Sequence, residues 1–179
     1  MKNEQEIIEQ VKKEIRDVKD FPKEGILFKD ITTALKKPEI LALTIDWFVE
    51  KLKDKDIDYV IGLESRGFIF APTIAYKIGA GFIPIRKPGK LPAEVEKVSY
   101  DLEYGTDTIE IHKDAIEKGK KVALVDDLLA TGGTAEAAYK LVQKLGAETL
   151  SFAFMIELVG LKGKDKLPQD VDIFSMLKY

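Results

Sequence analysis

Apolar positions along the chain follow two rhythms. Ile7, Ile8, Val11, Ile15 and Val18 recur at helical spacing, so residues 3–18 are predicted as an amphipathic helix. Phe21-Pro22 and Gly25 punctuate a turn into a short extended piece, Ile26-Leu27-Phe28. A second helix is predicted over 39–53, with Leu43, Trp47, Val49 and Leu52 among its buried residues. From residue 58 the pattern becomes blockwise. Apolar runs at 58–63, 81–85, 121–125, 149–156 and 171–174 read as strands. Between them, 67–78 reads as a helix despite Pro72, and 134–145 as a helix closed by Gly146. Continuous apolar strands separated by helices predict a parallel sheet covered on both faces.

Residues 86–99 (RKPGKLPAEVEKVS) break the rhythm with two prolines, a glycine and many charges. An alternating pair, 100–104 and 108–112, follows around Gly105 and predicts a β-hairpin. A charged loop of this length inside a compact domain is usually disordered or functional. His112, with no obvious partner, is read as structural, and Trp47 and Tyr76 as core residues on helices.

Composition narrows the class. With 179 residues, folding buries roughly 70% of the unfolded surface, enough for one domain spanning 1–179 without staples. Lys plus Arg is 28 and Asp plus Glu is 31, a net charge of −3, so no nucleic-acid partner is expected. No cysteine is present, which removes thiolate chemistry and cysteine metal sites, and the one histidine removes histidine clusters. The start lacks the apolar centre of a signal peptide. The longest uncharged run, 67–76, is ten residues against the roughly 20 of a membrane span. The expectation is a cytoplasmic protein without membrane attachment.

The most informative stretch is 122–134, VALVDDLLATGGT: a buried strand, two carboxylates, then a loop of small residues opening a helix. Ligands of open α/β sheets sit at the carboxyl ends of strands. A helix N-terminus offers free N–H groups to a phosphate. Gly132 and Gly133 let the backbone approach that anion, and Thr131 and Thr134 add hydroxyls. Asp126 and Asp127 disfavour a phosphate directly beside them but accept hydrogen bonds from neighbouring hydroxyls. A phosphate and a diol a few ångströms apart describe ribose 5-phosphate. No lysine follows the glycines, so this is not a Walker loop.

The stretch resembles the signature by which type I phosphoribosyltransferases bind 5-phosphoribosyl 1-diphosphate (PRPP). Further pieces resemble the members that use adenine: FPKEGILFKDIT at 21–32, GLESRGFIFAP at 62–72, IRKPGKLP at 85–92, YDLEYGTDTIEIHKDAI at 100–116, ELVGLKG at 157–163 and FSMLKY at the end. The resemblance spans 21–179. It implies an α/β type I phosphoribosyltransferase fold, with a central, mostly parallel sheet flanked by helices. An N-terminal helix and base-binding hood would occupy 1–34, and a flexible catalytic loop and hairpin 87–111.

The implied reaction is magnesium-dependent: adenine displaces diphosphate from PRPP with inversion, giving AMP. Implied PRPP ligands are Glu64, Ser65, Arg66, Arg86, Lys87, Lys90, Asp126, Asp127, Ala130, Thr131, Gly132, Gly133 and Thr134. The family often has a cis peptide at the position of Glu64-Ser65. Glu103 and Tyr104, with Arg66 and Lys90, would act in catalysis. Phe28 would stack on adenine, while the Leu27 carbonyl and the Lys29 N–H read its edge. Many members carry Arg at the Lys29 position, so a guanidinium contact there would be lost. Magnesium would be held through diphosphate and water rather than by protein ligands, and the subunits would pair as a homodimer. Two other readings use the same fold: a PRPP-sensing regulator without transfer activity, and the same transfer onto another purine or orotate.

Overall fold

The computed structural model describes residues 3–101 and 105–179. The chain forms two compact units, Met1–Phe48 and Val49–Tyr179.

In the first unit, helix α1 (Glu4–Lys12) starts at a capping box. Asn3 Oδ1 accepts from the Glu6 N–H at 2.9 Å, and the Glu6 carboxylate accepts from the Asn3 N–H at 3.0 Å. The helix is shorter than the predicted 3–18, because Arg16–Lys19 forms strand β1, antiparallel to β2 (Leu27–Asp30). Val18, placed on the helix by its spacing, instead faces Phe28 across this ribbon. Ion pairs Arg16–Asp30 (2.5 Å) and Lys29–Asp17 (2.7 Å) bind the two strands, a long-range gain that helical periodicity does not register. A four-residue helix, α2 (Thr32–Leu35), precedes α3 (Pro38–Leu52), whose last turn lies in the second unit. Trp47 is buried on α3 and donates to Glu4 at 2.9 Å, as a core indole should.

The second unit runs β3 (Tyr59–Leu63), a 3₁₀ turn (Arg66–Ile69), α4 (Ala71–Ile78), β4 (Gly81–Ile85), β5 (Val95–Asp101) and β6 (Thr106–His112). It continues through β7 (Lys121–Leu129), α5 (Gly133–Lys144), β8 (Glu148–Glu157), two further 3₁₀ turns (Val159–Leu161 and Gly163–Lys166) and β9 (Asp172–Lys178). The main sheet has the order β4-β3-β7-β8-β9 and every pairing in it is parallel, as predicted. From β3 the chain crosses to β4 on one side, while β7, β8 and β9 extend the other. The strand order therefore reverses between β3 and β7, where open sheets bind ligands. The β3–β7 register ends at Gly62↔Val125, but β7–β8 pairing continues to Leu129↔Glu157. Past Val125, β7 is paired with a strand on one flank only, and a crevice opens on the other.

Four expectations change. The aspartates lie inside β7, not beyond it, because β8 carries the strand on to Leu129. The helix predicted over 67–78 is split at Phe70, and Pro72 sits in the first turn of α4, where its missing N–H costs nothing. Tyr76 is 86% exposed rather than core: Ala71, Ile74 and Ala75 form the buried stripe of α4, and Tyr76 falls outside it. The aperiodic loop is shorter than 86–99, since β5 begins at Val95 and pairs with β6 from Val95↔His112 to Asp101↔Thr106. The solvated side chains of β5 hide its alternation.

Candidate active site

Three segments line a cleft of about 420 Å³ at the switch point: Glu64 to Arg66 after β3, Lys87 after β4, and residues 126–135. The first turns sharply through a cis Glu64-Ser65 peptide, as the resemblance implied. Gly67 seats this turn on β7, since a Cβ there would lie 2.6 Å from the Val125 carbonyl oxygen.

The cations of the cleft are held by carboxylates. Arg66 pairs with Asp127. Glu64 accepts from Lys90 Nζ at 2.7 Å, from Arg86 Nε at 3.2 Å and from the Lys87 N–H at 2.8 Å. The Arg86 guanidinium also stands over the Phe68 ring, 5.9 Å from its centre. Lys87 Nζ pairs with Asp107 on β6. Segment 86–90 is stitched to β6 by the Arg86↔Glu110 bridge and by Gly89 N–H donating to Glu110 at 3.1 Å. Implied as a PRPP ligand, Glu64 presents a side chain that organises cations, while its turn carries backbone N–H groups and Arg66.

Burial alone would raise the Glu64 pKa, but Lys90, the Lys87 N–H and Arg86 together bring it from 4.5 down to about 2. A depressed carboxylate contributes stability above its unfolded pKa and loses it as pH falls through the folded one. Denaturant midpoints of the wild type and Glu64→Gln are therefore separated above pH 4.5 and converge toward about pH 2. A constant separation across that window would show that the Glu64 charge does not contribute.

On β7, Asp127 is buried, and its N–H donates to Asp126 Oδ1 at 2.9 Å. Burial, with the Asp127 charge beside it, pushes the Asp126 pKa well above the usual carboxylate range. The loop Ala130, Thr131, Gly132 then leads into α5. Gly132 has φ +81°, and Gly133 and Thr134 form the first turn of the helix, with N–H groups unclaimed by helical bonding. This side of the cleft combines a helix N-terminus with two carboxylates, suiting a phosphate next to hydroxyls.

Leu27, Phe28 and Lys29 lie on β2 of the first unit. The Phe28 ring meets Phe21 edge-on, with centres 5.1 Å apart at 73°. Glu103 and Tyr104 lie outside the described residues.

Comparison with known proteins settles the family. The model of the phosphoribosyl transferase domain matches residues 31–178. An adenine phosphoribosyltransferase of Clostridium botulinum (strain Alaska E43 / Type E3) is 59% identical over 169 residues, covering 94% of this chain and 98% of the relative. That of Nostoc punctiforme is 59% identical over 167 residues, covering 92% and 96%. The chain belongs to the adenine phosphoribosyltransferase family. Among solved adenine phosphoribosyltransferases, that of Rhodothermus marinus superposes with a TM-score of 0.91 at 50% identity, covering 97% of this chain and 98% of that one. The Saccharomyces cerevisiae enzyme, complexed with adenine and an imino-altritol bisphosphate, gives 0.91 at 44% identity, covering 95% and 98%.

Against this adenine phosphoribosyltransferase frame, the sequence missed three residues that touch the lining of the cleft. Gly163 touches the 130–132 loop: a Cβ on it would lie 2.3 Å from the Ala130 carbonyl oxygen, and one on Gly132 would lie 2.3 Å from the Gly163 oxygen. Its signal was the ELVGLKG piece, quoted without a role. Tyr100 and Asp107 are cross-strand partners in the hairpin, hydrogen-bonded at 3.2 Å. Recognising them needed the register, which the sequence left open.

Proposed function

We propose that this protein transfers the 5-phosphoribosyl group of PRPP to adenine, giving AMP and diphosphate. One observation carries the reading: a single cleft opposes a cation-bearing turn at 64–66 to a carboxylate pair and helix N-terminus at 126–134. PRPP has the matching order of groups, with diphosphate at carbon 1, hydroxyls at carbons 2 and 3, and phosphate at carbon 5. Nearly full-length similarity to adenine phosphoribosyltransferases supports adenine as the acceptor.

In this reading the N–H groups of 131–134 and the Thr131 and Thr134 hydroxyls hold the 5-phosphate. Asp126 and Asp127 accept from the ribose hydroxyls and fix the sugar. As the bond at carbon 1 breaks, negative charge gathers on diphosphate and positive charge on the ribose. Arg66, Lys87, Lys90 and the N–H groups of the 64–67 turn face the former, donors arranged in advance of the charge they stabilise. A ring nitrogen of adenine adds to carbon 1 from the face opposite the leaving group, and the proton that nitrogen sheds balances the negative charge of the departing diphosphate. Phe28 stacks on the base, while the Leu27 carbonyl accepts from its amino group and would repel the oxo group of guanine or hypoxanthine. Glu103 and Tyr104 belong to the catalytic hairpin in the family pattern.

The reading includes magnesium. In this reading the ion is held through the diphosphate and water rather than by protein ligands, since magnesium keeps several waters and substrate phosphates supply its other oxygens. Magnesium neutralises charge on the diphosphate. The reading also includes a homodimer, as the resemblance implies; Ile69 and Tyr76, which follow the diphosphate turn along the chain, are exposed apolar side chains. No helix among the described residues is long and apolar enough to cross a membrane.

The test is product formation from PRPP and magnesium with adenine, guanine, hypoxanthine and orotate in parallel. AMP and diphosphate from adenine alone is the expected result. Transfer to an oxopurine would overturn the base assignment. PRPP binding without product from any base would indicate a sensor.

A further inference from the structure

A hydrogen-bond chain crosses from the phosphate loop to the hairpin. Thr134 Oγ1 lies 3.1 Å from the Tyr100 hydroxyl, and that hydroxyl lies 3.2 Å from Asp107 Oδ2. Lys87 Nζ donates to the same Asp107 oxygen, and the Thr108 N–H donates to Oδ1 at 2.8 Å. The Tyr100 ring also packs on the first turn of α5, where a Cβ on Gly133 would lie 3.3 Å from its Cδ2. Two strands, the loop after β4 and the start of α5 therefore meet at the Tyr100–Asp107 pair.

Chemistry fixes the direction of this chain. An ionised carboxylate only accepts, so the single Tyr100 proton points to Asp107. Tyr100 oxygen must then accept the Thr134 proton. In that arrangement Thr134 offers the cleft lone pairs, and the oxygens of a phosphate are acceptors too. Before Thr134 can serve a phosphate its hydroxyl has to turn. Once it has, the Thr134 oxygen is open to the Tyr100 proton, and Asp107 gives up that bond while keeping Lys87 and the Thr108 N–H.

We propose that Tyr100 and Asp107 are positioning residues that set the direction of the Thr134 proton and so tune the cleft for the phosphate-monoester end of its substrate, linking that end to Lys87. No proton is transferred; two hydroxyls rotate. The inference rests on the reading that Thr134 helps hold the 5-phosphate. The relay opposes binding when Asp107 holds the Tyr100 proton, and assists it when Tyr100 donates to Thr134.

The experiment measures the affinity of the full chain for ribose 5-phosphate by calorimetry, with inorganic diphosphate as a second probe. In Asp107→Asn the side-chain amide can donate to the Tyr100 oxygen, leaving the Tyr100 proton for Thr134 and the Thr134 proton for the cleft. That variant binds ribose 5-phosphate at least about fivefold more tightly, the scale of one redirected hydrogen bond. Loss of Asp107 also frees Lys87 and removes a negative charge, which tightens diphosphate in any background. The double variant Asp107→Asn/Tyr100→Phe separates the two effects: it loses the gain for ribose 5-phosphate and keeps any gain for diphosphate. Retention of the ribose 5-phosphate gain in the double variant, or its absence in Asp107→Asn, overturns the relay. Failure of the wild type to bind ribose 5-phosphate overturns the phosphate assignment itself, and the relay with it.

Discussion

Asp127→Asn lowers the turnover number by at least ~100-fold, the scale of removing one electrostatic contributor from an enzyme site. The substitution keeps the shape of a buried side chain and removes its charge. Two consequences follow. The ribose hydroxyls lose a strong acceptor at the moment positive charge develops on the sugar, and Arg66 loses the carboxylate that orients it. Arg66 is then freer to meet diphosphate in the ground state, so the KM for PRPP moves less than the turnover number. Asp126 changes too: part of its elevated pKa comes from the Asp127 charge, so it ionises more readily in the variant. Initial rates at saturating PRPP and adenine decide the matter. Wild-type turnover in Asp127→Asn would remove the ribose assignment.

Gly163→Ala lowers kcat/KM for PRPP at least ~30-fold, because displacement of positioning groups by about an ångström can cost on the order of 100-fold. A Cβ at Gly163 would lie 2.3 Å from Ala130 O and 3.0 Å from Gly132 N, both backbone atoms with no rotamer to escape into. The 130–132 loop has to move, although Gly163 contributes no side chain to the cleft. Gly160→Ala, three residues earlier, is the control, since its Cβ would meet nothing within 4 Å. Steady-state kinetics with PRPP varied and thermal unfolding of both variants give the readout. Equal kinetic behaviour of the two variants would mean that the 163 contact does not set the loop.

What could be read from the sequence depended on how local its cause was. The parallel sheet was legible because its central strands are buried on both faces and rich in apolar residues. The cleft wall at 126–135 was legible because the aspartates of β7 and the threonines and glycines after it form one uninterrupted stretch. β1 was misread because its only apolar residue, Val18, continues the α1 period, and what makes it a strand is pairing with β2. Tyr76 was misread because a large apolar residue on a helix is taken for core unless the buried stripe is known. The roles of Glu64, Tyr100, Asp107 and Gly163 were out of reach for a similar reason: their partners lie between 7 and 34 residues away along the chain, and only the fold brings them together.

In the proposed reading, the paired cations in and beside the cleft act as an anion filter. Arg66, Arg86, Lys87 and Lys90 each face a carboxylate, on Asp127, Glu64 or Asp107, before any substrate arrives. A small anion that captures one of them, such as chloride or a single phosphate, strands a negative charge beside itself and gains little. A ligand that takes several cations at once, while presenting hydroxyls to the abandoned carboxylates, leaves no group uncompensated. Selection then rests on the number and order of groups carried by one molecule rather than on its charge. A chain with a net charge of −3 can in this way bind a highly anionic substrate amid the simple anions of the cell.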